Sequence, residues 1–252
     1  MLRKGDLTQG GITGTLLHFT LPMMVGSFLQ QCYNIADTLI VGQCIGAGAL
    51  AAGGLANTLV GFLISVLLGL AMGSGTVFSL HYGAGNHVAL RRSIFSSFVL
   101  IGIVTLILNV AVFIWLDPIL RLLQVPQDIY GMMRSYLWII FCGIVFTFIY
   151  NFYASLLRAV GDSVTPLWFL AVSVVLNIAL DLFFILQLDW GIQGAAAATV
   201  LAQGVAALGI IIYTYRRRPE LRWHHPVSCC IPIKSAPSYD YTGKICASTV
   251  PA

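Results

Sequence analysis

The chain has 252 residues, of which 58% are hydrophobic and only 9% charged, with a mean hydropathy of +0.90. Soluble domains carry about 25% charged residues, so a water-soluble fold is excluded. Apolarity on all sides favours membrane helices over the alternating segments of about ten residues that build outer-membrane barrels.

A helix needs about 20 mostly apolar residues to cross a bilayer, and six segments qualify: roughly 15–41, 50–80, 93–116, 132–157, 164–188 and 192–215. The predicted class is therefore an all-α membrane protein, a six-transmembrane-helix bundle over residues 1–222, followed by an irregular tail, 223–252.

The first segment follows Arg3 and Lys4 and so resembles a leader peptide, but Pro22, Gln30, Gln31 and Asp37 interrupt it without a cleavage site, and it reads as helix one. Pro22 lacks an N–H and its ring crowds the preceding turn, so it predicts either a static bend or a hinge. Gln30, Asn34 and Asp37 fall at i, i+4 and i+7, one polar stripe. His18, near the start of the segment, suits an interface and is left out of the site.

In the second segment Gly69 and Gly73 permit close helix approach. The fourth carries Tyr136 near its beginning, where it serves equally as a neighbour of a polar site or as an interfacial ring. The fifth stacks Ser173, Asn177 and Asp181 at i, i+4 and i+8. The sixth opens on Gly191, Gly194 and Ala195–Ala198, small residues for close packing, and then carries Thr199 and Gln203.

Charge placement orients the bundle. Arg3, Lys4, Arg91, Arg92, Arg158, Arg216, Arg217, Arg218 and Arg222 fall on one side and Arg121 and Arg134 on the other, with Lys234 and Lys244 in the tail. Basic residues favour the cytoplasm, so both ends are expected there. Topology thus accounts for the net charge of +4, and no nucleic-acid partner is implied. Trp115, Trp190 and Trp223 sit near helix ends, where amphipathic rings prefer the interface. Cys229, Cys230 and Cys246 would then face a reducing compartment, so no disulfide framework is expected. Cys229 and Cys230 with His224 and His225 lack zinc-site spacing.

Among the nine acids only Asp37 and Asp181 lie inside spans. An ionised group at the centre of a membrane helix costs about 2.5–3.5 kcal/mol even on lenient scales, so such residues face protein or water. Helices one and five run the same way and carry their acids within about two turns of the outer end, while Thr199 lies about two turns into a helix starting there. Asp37, Asn177, Asp181 and Thr199 are therefore expected in one layer, with Tyr136 in reach. Two carboxylates at one depth in a low dielectric can share a proton. Together with the Asn177 amide oxygen and the Thr199 hydroxyl they also offer the oxygen ligands of a hard cation such as Na⁺. For Asn34, Ser173 and Gln203, simple helix–helix glue is an equal reading. An aspartic-protease dyad is disfavoured, since no Gly-x-Gly-Asp stretch accompanies Asp181, and the chain is not expected to be an enzyme.

Four stretches then carry a likeness: LPMMVGSFLQQCYNIADTLIVGQCIGAGALAAGGLA, GLAMGSGTVFSLHYGAGN, LLRAVGDSVTP, and LNIALDLFFI leading to WGIQGAAAATVLAQ. In this order they resemble the multidrug and toxic compound extrusion (MATE) transporters of the bacterial DinF and MepA branch, over nearly the whole chain to about Arg222. The resemblance implies one lobe of a twelve-helix transporter in the bacterial cytoplasmic membrane, with Asp37, Asn177, Asp181 and Thr199 as a Na⁺ or H⁺ site, Tyr136 nearby, and Pro22 as the point where helix one bends. It implies export of organic, often cationic, compounds against cation entry by alternating access, with no resident cofactor. The segment 158–166 matches a cytoplasmic signature, for which a structural turn is expected. Such transporters have two lobes and only one is recognisable here. A partner second lobe or another copy of the chain is therefore expected if it transports, and a truncated or frameshifted, non-transporting fragment if it does not. A lipid-linked sugar flippase of related architecture is the neighbouring alternative, for which basic residues along the cavity would speak.

Overall fold

In a computed structural model the described residues are 12–218 and Leu221. The expectations for Arg3, Lys4, Arg222, Trp223, the tail with its cysteines and histidines, and the side chain of His18 lie outside them. Six long helices follow one another: α1 (Ile12–Cys44), α2 (Ala47–Gly83), α3 (His87–Leu122), α4 (Gln127–Ala159), α5 (Val164–Leu182) and α6 (Gly191–Arg217). All but α5 overrun their predicted spans, because the apolar window marks only the part that meets hydrocarbon while the helix continues into the interface. Helices α2 to α6 are long and apolar enough to cross a membrane. Helix α1 is also long enough, at 33 residues, and passes through Pro22 unbroken.

The bundle is arranged around α4, whose sides meet α2, α3 and α6. Its buried residues include the consecutive run Phe152, Tyr153, Ala154, Ser155, Leu156 and Leu157, which goes all round the helix, as expected of an element enclosed by others. Small residues set how near its neighbours come. A Cβ built at Gly143 would meet Val200 Cγ1 at 2.9 Å and Cβ at 3.0 Å, so only glycine lets α4 and α6 approach here. On the other side Ser155 reaches across to donate to the Ala71 carbonyl on α2 at 2.7 Å. Toward α3, Asn109 donates to the Phe141 carbonyl at 2.9 Å. These bonds are helix–helix glue inside hydrocarbon.

The turns are short. Gly161 takes φ 85° between α4 and α5, a left-handed conformation that costs glycine no Cβ clash. The fifth span ends near its expected limit, yet with a changed geometry: immediately after Leu182 the chain runs on as a π-helical stretch, Phe183–Gln187. This stretch is pinned to the start of α6, where the Trp190 N–H donates to the Phe184 carbonyl at 3.1 Å and the two rings stack with centroids 5.3 Å apart. Isolated π turns interrupt helices mostly beside functional residues, and this one begins two residues after Asp181.

Candidate functional site

Asp181 is fully buried and Asn177 is 2% exposed, both on the face that α5 turns toward α6. The Asn177 amide is oriented with its nitrogen toward the carboxylate, because the reverse would face oxygen to oxygen and N–H to N–H. So placed, it donates to Asp181 Oδ2 at 2.9 Å and accepts from the Thr199 backbone N–H at 3.1 Å and hydroxyl at 3.2 Å. The Tyr33 hydroxyl lies 3.3 Å from the same Thr199 hydroxyl. With Tyr33 donating to Thr199, Thr199 to Asn177 and Asn177 to Asp181, one chain of bonds runs from α1 through α6 to the carboxylate on α5. Every donor in it is turned toward the negative charge.

Asp37, half-buried on α1, completes the layer. Its Oδ1 and Asp181 Oδ1 are both buried and have no hydrogen-bond partner. The two carboxylates lie within electrostatic range of each other and of the hydroxyls of Tyr33 and Tyr136. Tyr136 is 6% exposed, so its ring belongs to the core and not to an interfacial belt. The arrangement collects two acidic oxygens lacking donors beside a chain of oriented dipoles. Buried acceptors without partners are costly, and a small cation is the kind of guest that offsets that cost.

The expected residues Asp37, Asn177, Asp181 and Thr199 are therefore found in one neighbourhood. The stripe on α1 is only half right. Gln30 lines the cavity described next, but Asn34 is exposed and donates to Gln31 at 3.0 Å, away from the acids. Tyr33, one position earlier, reaches the site in its place, and the polar periodicity passed over it because an aromatic ring was not counted as polar. Gln203 is held by the Thr147 hydroxyl on α4.

Beneath the layer lies a cavity of about 270 Å³ bounded by α1, α2, α4, α5 and α6. Tyr33, Asn177 and Thr199 form its upper end, Ser173 and Gln203 its middle, and Pro22 part of its wall. At the opposite end are Arg158, Ser163 and Pro166. From its sequence, 158–166 is expected to be a structural turn. The structure divides that role: Asp162 does the structural part, accepting from the Thr165 N–H at 3.1 Å and hydroxyl at 2.9 Å and from Arg218 at 3.2 Å. Arg158 and Ser163 face the cavity instead. The reason the pattern could not show this is that an arginine stem is long enough to bring its charge into a space its Cα only borders.

Comparison with known proteins identifies relatives. The MatE family profile matches residues 22–183. The probable multidrug resistance protein YpnP of Bacillus subtilis is 37% identical over 217 residues, which cover 86% of this chain and 49% of that protein. The multidrug export protein MepA of Staphylococcus saprophyticus is 31% identical over 210 residues, covering 80% and 45% respectively. Among solved structures, an outward-facing multidrug resistance MATE family transporter of the MOP superfamily superposes with a TM-score of 0.80 at 26% identity, over 86% of this chain and 48% of its own. The chain spans about half the length of the relatives it matches.

Proposed function

The chain belongs to the MatE family, and from that premise we propose that it forms the cation-binding lobe of a multidrug antiporter. Entry of Na⁺ or H⁺ at Asp37, Asn177, Asp181 and Thr199 drives small organic compounds outward by alternating access. The observation that carries this reading is the pair of buried, partnerless carboxylate oxygens, Asp37 Oδ1 and Asp181 Oδ1, at one level of the bundle. An intramembrane acid that only held helices together would spend its oxygens on protein donors. Here Asn177 occupies one oxygen of Asp181 and leaves the other for a guest. Because the acids sit on different helices, a bound cation would draw α1 toward α5, which is how occupancy at the site becomes a movement of one wall. Pro22, below the acid on α1, is the place where that wall would bend.

On this reading the protein lies in the cytoplasmic membrane with both ends inside, surrounded by lipid, and works with a second lobe or a second copy of itself. The argument for sidedness is charge placement: Arg91, Arg92, Arg158, Arg216, Arg217 and Arg218 against Arg121 and Arg134. The test is efflux of a fluorescent dye from energised cells. Efflux should depend on a Na⁺ or proton gradient, and Asp181→Asn should lower it at least tenfold while leaving the amount of inserted protein unchanged. Coupled efflux that survives in Asp181→Asn removes the site from the mechanism.

A further inference from the structure

The cavity is electrically one-sided. Among the described residues no aspartate or glutamate lines it, and the one formally charged side chain on its wall is Arg158. Arg134 and Arg218 each have a carboxylate within 3.2 Å, at Asp117 and Asp162. Arg158 has no carboxylate within ion-pairing distance among the described residues. Asp162, the acid nearest in sequence, is engaged by Arg218 and Thr165.

Ser163 supplies an independent observation at the same end. It is only 6% exposed, its side chain makes no cap bond to the start of α5, and it lines the cavity. Ser163, without a cap bond and at the positive end of a 19-residue helix, thus lines the same end of the cavity as an arginine that has no acid partner among the described residues. That combination fits a planar or tetrahedral anion, for which a guanidinium offers a fork of donors and a hydroxyl a third. Above it Met23, Ile64, Leu68, Leu167, Leu170 and Val174 supply apolar wall, interrupted by polar side chains such as Gln30, Ser173 and Gln203.

We propose that Arg158 and Ser163 form an anion-binding floor, and that the cavity takes small organic compounds bearing a carboxylate or a comparable single negative charge on an apolar body. The proposal rests on the reading of the chain as an exporter and names a substrate class for it, different from the organic cations that the resemblance implies. The volume, about 270 Å³, lies just under the range of about 300–1,000 Å³ usual for drug-sized ligands, so a compound of two fused rings is a suitable size. Between Ser163 and Asn177 the rise of α5 is about 20 Å, so such a compound occupies the floor without touching the acid layer. Anion and coupling cation can then be bound together.

The test compares two probes of one shape, 2-naphthoate and its uncharged amide, 2-naphthamide, by equilibrium dialysis against the purified full chain in nanodiscs. Naphthoate should bind more tightly than naphthamide. Arg158→Gln should weaken naphthoate about tenfold or more, in keeping with loss of a hydrogen bond to a charged group, and leave naphthamide unchanged. Arg158→Lys should restore most of the difference, and Ser163→Ala should cost roughly threefold. Unchanged naphthamide binding certifies that each variant is folded. If naphthoate does not outbind naphthamide, or if Arg158→Gln shifts both probes equally, the anionic floor is wrong. Because the readout is binding and not export, failure of dye efflux to depend on Asp181 would overturn the coupling scheme while leaving this result to stand or fall by itself.

Discussion

Helices α5 and α1 each bring one acid to the site, and the bundle holds them very differently. Asp181 sits on a helix wedged against α6, is fully buried, and has one oxygen fixed by Asn177. Asp37 sits on a helix that leans mainly on α5, with thinner contact to α2 and α6. Of the described side chains on α1 only Val41 is buried, while Leu17, Leu21, Met24 and Phe28 are all exposed. The lesson is that the two carboxylates are not equivalent halves of a site. One belongs to a fixed wall built by α4, α5 and α6; the other belongs to a wall with little holding it, which on the proposed mechanism a cation would pull in or let go. Conformational change is drawn from elements with few buried contacts, and α1 meets that description where α4 does not.

The comparison can be broken most forcefully at the fixed wall. Gly143 lets α4 and α6 touch at Val200, next to Thr199, so Gly143→Leu forces apart the helices that set the geometry of the site. Overpacking of this kind costs about 1–3 kcal/mol, and the thermal transition of the purified protein in detergent should fall by several degrees. A transition that stays put would mean that α4 and α6 are not tightly apposed and that the wall is not rigid. By the same reasoning Asp181→Asn should leave that transition level or raise it, since it removes a buried charge without changing its outline.

The next comparison separates the two walls chemically. Thr199 is the junction of the hydrogen-bond chain, meeting both Asn177 and Tyr33. Thr199→Val keeps the shape and deletes the hydroxyl, and should weaken cation binding about tenfold, about 1.4 kcal/mol, as expected when a hydrogen bond beside a charge is lost. Tyr33→Phe removes only the link from α1 at 3.3 Å and should cost about threefold. Protection of an introduced thiol by Na⁺, or proton uptake by the purified protein, measures both. If Tyr33→Phe proves the more damaging of the two, the fixed and moving walls have been assigned the wrong way round.

How much of this was legible beforehand follows the same division. The six spans were readable because hydrocarbon admits only apolar helical surface, so length and composition fix them. The Ser173, Asn177 and Asp181 stripe on α5 was readable because a helix with an open apolar side, at Trp168, Val172 and Val175, turns its polar face to the protein, and spacing alone identifies that face. On α1 the rule failed. Gln30, Gln31, Asn34 and Asp37 spread over about a third of the helix circumference, and Asn34 could turn away from the acids because α1 has an open side on which Gln31 satisfies it. Tyr33 was missed since its polar atom stands at the end of an apolar ring. The π turn after Asp181 leaves no mark in FFILQ, as its cause is the docking of Phe184 on Trp190 and α6. Arg158 escaped because spacing places a Cα and says nothing of where a long side chain ends.

Pro22 gives the smallest effect and the cleanest contrast. It lies inside α1 and lines the cavity below the acid layer, and the helix runs through it without a break from Ile12 to Cys44. The ring removes one N–H from the helix ladder, so the outer part of α1 is tied to the inner part by one bond fewer than an alanine would give. Pro22→Ala restores that bond without touching Asp37, Tyr33 or any donor in the chain to Asp181. Cation affinity measured at equilibrium should therefore stay within about twofold. The rate of coupled efflux should drop severalfold, because stiffening α1 raises the barrier to bending while leaving the bound site intact. Equal losses in affinity and rate would mean that Pro22 shapes the resting site and does not act as a hinge, and the division into a fixed and a moving wall would then need another pivot.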